Sequence, residues 1–143
     1  MQTQANPIDQ GYLHFLGKVR MAVQACASNC VLSPDDPTFH LEGVQVGVRH
    51  VQHSGLNWLQ IDFTMIDFEV TDAATLARLL QLNHDLASSS PLVGYFALRG
   101  TDAKLQFIQR TTTADLPVWA LEKYFVDTVG RLNQLFVRVV VSA

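Results

Sequence analysis

The chain has 143 residues, a formal net charge of −3, and 48% apolar against 16% charged residues. That length suits one domain with a single core over residues 1–143, because a chain of this size buries about two thirds of the surface it exposes when unfolded. The acidic balance excludes the basic footprint of a nucleic-acid binder, and no apolar run reaches the ~18 residues a membrane-spanning helix requires.

Asn6-Pro7-Ile8-Asp9 reads as a helix start, with Asn6 as cap, Pro7 where no donor is needed and Asp9 facing the positive end of the dipole. Ile8, Tyr12, Phe15, Leu16, Val19, Ala22, Val23 and Cys26 then recur at the helical period, and Ser33-Pro34-Asp35-Asp36-Pro37 ends the element. From Phe39 the period becomes two. Phe39 and Leu41 form a short strand, and Glu42-Gly43 offers a turn. Val44, Val46 and Val48 then alternate with Gln45, Gly47 and Arg49. After a turn within Gln52–Gly55, Leu59, Ile61, Phe63 and Met65 alternate with Trp58, Gln60, Asp62 and Thr64, which predicts one dry face and one mixed face.

Thr71 or Asp72 caps a second helix with Leu76, Leu79, Leu80, Asn83 and Leu86 along its stripe. The runs Leu92–Leu98 and Leu105–Ile108 flank Gly100-Thr101-Asp102 as a hairpin, and Asp115 and Pro117 open a third helix. Its stripe is Val118, Leu121, Phe125, Val129, Leu132, Phe136 and Val139. The expected class is α+β, in the order α-β-β-β-α-β-β-α, with helices packed on an antiparallel sheet.

Catalytic signatures are sparse. No pair among His14, His40, His50, His53 and His84 has the H-E-x-x-H spacing that places two imidazoles and a base on one helix face. Cys26 and Cys30 lack a second ligand pair; Cys26 reads as a small core residue, and both are expected as reduced thiols. His84 and Asp85 diverge by about 100° around a helix, and neither a G-x-S-x-G elbow nor a phosphate loop occurs. The expectation is a protein that is not an enzyme and has no cofactor. Met1–Pro7 shows no targeting pattern, so a cytoplasmic location is expected. Trp58 and Trp119 suit a core edge or an interface, and Trp58, among polar neighbours, is the one expected to be exposed.

Leu79-Leu80-x-x-Asn83, a polar break, Gly94-Tyr95-Phe96-Ala97-Leu98 and a paired strand resemble the Tir-chaperone family, the class I type III secretion chaperones. Leu41-Glu42-Gly43 before Val44-x-Val46, and a last helix with Leu121, Phe125 and Leu132, extend the likeness over residues 8–137. The resemblance implies a homodimer with a strongly twisted sheet that binds the extended N-terminal segment of a secreted effector and keeps it secretion-competent. It implies dimer contacts through Leu76, Leu79, Leu80, Phe96, Leu105 and Phe107, and effector contacts through Phe15, Val46, Trp58 and Ile61. The alternatives are a regulatory interaction module of the same fold, of the sensory-regulator type, and a small metal- or thiol-dependent enzyme using Cys26, Cys30 and a histidine. Asn83 is expected to hydrogen-bond backbone at the helix-to-strand junction, because a buried unpaired amide costs about 1–3 kcal/mol.

Overall fold

The computed structural model describes residues 10–24, 26–27, 30, 32–53, 56–70, 72–89, 94–99, 104–111 and 117–141. They form α1 (Gln10–Val23), β1 (Thr38–Leu41), β2 (Val44–His53), β3 (Leu56–Glu69), α2 (Ala73–Ser89), β4 (Tyr95–Arg99), β5 (Lys104–Thr111) and α3 (Val118–Val141). This is the α+β order expected from the hydrophobic periods. All strand pairs are antiparallel, and the sheet order is β1-β2-β3-β5-β4, which leaves β1 and β4 as edges.

The turn between β1 and β2 has two residues, Glu42 and Gly43, at φ 49° and 79°. Positive φ at both positions gives a primed turn, whose twist matches that of the flanking strands. It sets Leu41 opposite Val44 and Phe39 opposite Val46. The β2–β3 register continues with Val46 opposite Phe63 and Val48 opposite Ile61, so the apolar sets of three strands share one face. Phe107 and Phe96 extend this face across β5 and β4.

Helix contacts converge on that face. Phe125 of α3 meets Phe39 edge-on at 5.2 Å and Phe63 at 6.4 Å between ring centroids. Tyr12 of α1 stacks on His50 at 5.7 Å and donates its hydroxyl to the Val48 carbonyl at 2.9 Å. Burial of Tyr12 raises its hydroxyl pKa above the ordinary value, against the opposing charge of Arg49. The inward residues of α3 are Leu121, Phe125, Val129 and Leu132, those of α1 Tyr12, Phe15, Leu16, Val19, Ala22 and Val23. Both sets match their sequence periods. Asn6, Pro7 and Asp9 lie outside the described residues, and so do the side chains of Phe136 and Val139, although the backbone of α3 is helical to Val141.

Cys26 corrects its expectation as a core residue. It is exposed, because α1 ends at Val23 and the amides of Cys26 and Ala27 turn back onto the Val23 carbonyl at 3.0 and 2.8 Å. Past that turn the helical period no longer predicts direction. Cys30 is half-buried against the core. The loop is closed by Arg20, which donates to the Leu32 carbonyl, and Leu32 itself is buried at φ 45°.

Asp72 caps α2, accepting the Thr75 amide at 3.1 Å; the hydrogen bonds from Thr75 hold its carboxyl below the usual carboxylate range. Thr71, Ser54, Gly55 and the hairpin positions Gly100, Thr101 and Asp102 lie outside the described residues. So do Leu92 and Val93, and the strand begins at Tyr95 after Gly94. A Cβ at Gly94 would sit 2.6 Å from the Ile108 carbonyl oxygen and 2.6 Å from the Phe107 ring, so this close approach demands glycine.

Candidate functional site

The three helices contact the apolar sheet face, one another or the β4 edge, and among the described residues none covers the opposite face. Two kinds of surface remain for recognition: the flank formed by α2 and β4, and the open sheet face.

On the flank, the amphipathic pattern of α2 divides more sharply than its stripe suggested. Thr75, Leu79 and Leu82 turn inward, whereas Leu76 and Leu80 are exposed, Leu80 at 63%. Leu98 of β4 is also exposed. Of the residues assigned to a dimer contact, Leu76 and Leu80 are therefore available on the surface. Leu79, Phe96, Leu105 and Phe107 are corrected: they are buried within the protomer, in the cluster that includes Phe63 and Phe125. Periodicity finds an apolar stripe but does not say which part of it the chain itself covers.

Asn83 behaves as expected and does more. Its amide nitrogen donates to the Phe96 carbonyl at 3.0 Å, and its side-chain oxygen accepts the Phe96 amide at 2.6 Å. The side chain thus takes the place of a neighbouring strand for one residue. It closes an outward backbone pair on edge strand β4 that would otherwise be free for pairing.

The open face is built from alternate residues of the same strands. The row Arg49–Gln60–Arg110 crosses β2, β3 and β5 in register, and Val51 lies opposite Trp58 beside it. Arg49 Nε meets Asp62 Oδ2 at 3.0 Å, with side-chain exposures of 59% and 5%. Gln60 donates to Asp62 Oδ1 at 3.0 Å and accepts Arg110 Nε at 2.9 Å. Gly47, directly opposite Asp62, has no side chain to separate that carboxylate from Arg49. One buried carboxylate and one amide thereby fix two exposed guanidinium groups. Farther along this face Gln106 donates to Thr64 at 2.9 Å, and both are buried. At the β1 edge, His40 Nδ1 is buried without a hydrogen-bond partner among the described residues.

Phe15, Val46 and Ile61 are corrected as effector contacts. They lie on the apolar side of α1, β2 and β3, covered by the chain's own helices. Trp58 alone of that set faces the open side, and it is half-buried. Trp119 on α3, at 71%, is the more exposed tryptophan, which reverses the expected order. Arg110 was missed, since only register brings it beside Gln60; the alternation that put Arg49 with the polar side of β2 was the available signal.

Local desolvation raises the Cys26 and Cys30 thiol pKa values, at Cys26 only in part because its surface is exposed and the charge of Glu122 adds to it, and a protonated thiol is a weak nucleophile and metal ligand. Among the described residues no three His, Cys, Asp or Glu side chains gather where they could hold a metal ion, and no helix is long and apolar enough to cross a membrane. Searches against family models and curated proteins found no match to this chain.

Proposed function

We propose that this chain is a non-catalytic polypeptide-binding protein of the class I type III secretion chaperone kind, acting in the cytoplasm as a homodimer. It holds the extended N-terminal segment of a secreted effector and keeps it secretion-competent. The observation that carries this reading is the flank of α2 and β4, which the described residues leave uncovered. Leu76, Leu80 and Leu98 are exposed there, beside an edge strand whose outward backbone pair at Phe96 is closed by Asn83. An exposed apolar cluster of this kind marks a protein contact, and a symmetric pair would bury it against its own copy.

With Phe15, Val46 and Ile61 inside the protomer, client recognition falls to the open sheet face, where Trp58 lies, and to the short edge strand β1. An extended client supplies backbone groups to an edge and side chains to a face, which gives affinity tolerant of sequence. The resemblance in residues 8–137 supplies the client class.

The test is co-expression with proteins secreted from the same genome, followed by purification and light scattering. A dimer that retains one secreted protein through its N-terminal segment supports the reading. A monomer that retains none defeats it.

A further inference from the structure

We infer that the open sheet face is the docking surface for an acidic, extended polypeptide segment, gripped by Arg49 and Arg110 on either side of Gln60 and anchored against Trp58. The inference deepens the reading of this chain as a binder of extended polypeptide and rests on it.

Charge commits the occupant. The chain carries a net charge of −3, yet among the described side chains the exposed charged ones on this face are arginines: Arg49, Arg110 and, farther along β4, Arg99. The acid between the first two, Asp62, is buried and already shared by Arg49 and Gln60.

Pre-organisation is the second argument. Each guanidinium is held through its Nε, by Asp62 in one case and Gln60 in the other. An arginine already fixed by a neighbour loses less freedom when it grips a carboxylate. The two arginines stand two strand spacings apart, about 10 Å. Acidic residues three apart on a segment in the extended polyproline II form, with three residues per turn, lie about 9 Å apart on one side, and a side chain between them is left to meet Trp58 and Val51.

The same charges argue against a second copy as occupant. Face-to-face pairing about a two-fold axis would set arginine rows of the two copies against each other, and like charges in register repel.

The test uses the full chain and fluorescence anisotropy with labelled peptides of about 12 residues, built as repeats of Glu-Ser-Leu, Gln-Ser-Leu and Lys-Ser-Leu, so that the acidic groups recur every ~9 Å on one side of a polyproline II segment. The expected result is binding of the glutamate peptide, at least about tenfold tighter than either control and weakened by salt. R49Q/R110Q should lose about tenfold and W58A a comparable amount, measured at equal fractions of folded protein because R49Q leaves the buried Asp62 to Gln60 alone. Arg110 is exposed and bonded to Gln60, so R110E tests the site without opening the core, and it should shift preference to the lysine peptide.

Failure of the glutamate peptide to bind, equal binding of all three peptides, indifference to the arginine variants, or tighter binding of polyuridylate each overturns the inference. Capture of a secreted client undiminished in R49Q/R110Q overturns it while leaving the chaperone reading intact. Arginine-dependent binding of the glutamate peptide, with no secreted client captured, supports the inference and removes the chaperone reading.

Discussion

The two faces of the sheet are made by the same strands and differ in what each asks of its residues. On the covered face, Phe39, Val46, Phe63, Phe107 and Phe96 meet the helices, and the aromatic rings of Phe63, Phe107, Phe96, Phe125 and Tyr124 contact one another. The Tyr124 hydroxyl finds Gln109 as its partner, and burial pushes its pKa well above the ordinary value. On the open face, the order comes from polar contacts instead: Arg49 to Asp62, Asp62 to Gln60, Gln60 to Arg110. The first face stabilises through area removed from water. The second gains little net stability from the Arg49–Asp62 pair, because the cost of desolvating the buried Asp62 carboxylate offsets the attraction, and so is free to be specialised for recognition. The comparison teaches that substitutions on one face should read out in stability and on the other in binding.

Among changes that leave the chain folded, the largest effect is expected of Phe63→Ala on the covered face. Removing a fully buried ring that touches three other aromatics should cost about 3–5 kcal/mol in urea unfolding. A loss below about 1 kcal/mol would mean the helices do not pack there as described.

A sharper contrast is available within α2. Leu79→Asp buries a charge in the protomer core and should give insoluble or unfolded protein. Leu80→Asp lies on the exposed side and should leave circular dichroism intact while converting the proposed dimer to monomer in light scattering. If both variants behave alike, the division of that helix into inner and outer residues is wrong.

Asn83→Ala should cost about 1–2 kcal/mol through the two hydrogen bonds lost at Phe96. It should also open the β4 edge, raising concentration-dependent aggregation beyond what the stability loss alone produces. Thioflavin binding measured at matched fractions of folded protein separates the two effects.

The smallest change expected is a gain. Glu42 occupies a left-handed backbone position at φ 49° in the primed turn, and asparagine tolerates that conformation better, so Glu42→Asn should raise stability by about 0.5 kcal/mol. No change in the midpoint of thermal unfolding would remove the turn as a source of strain.

Much of the fold was legible because its signals are local. The switch from helical to alternating period at Phe39, the pair Glu42-Gly43, and the return of the helical stripe after Asp72 depend on residues within a turn or two of one another. Asn83 was legible for a related reason: a lone amide on an apolar stripe must find a partner, and the strand that follows offers backbone groups. The functional surface was less legible. Phe15, Val46 and Ile61 were apolar and correctly placed on their elements, yet the chain covers them itself, and Leu79 and Leu80 differ in burial although they are adjacent.

By itself, then, the sequence determined the class, order and inward faces of the elements, because hydrophobic period and turn chemistry act over short distances. The tertiary structure decided which apolar residues remain for partners, that β5 rather than β4 pairs with β3, and that Arg49, Gln60 and Arg110 form one row. Those outcomes depend on strand register and helix placement between residues many tens of positions apart, such as Phe39 and Phe125. No local pattern encodes a contact over that separation; only the packing that leaves one sheet face covered and the other open selects it.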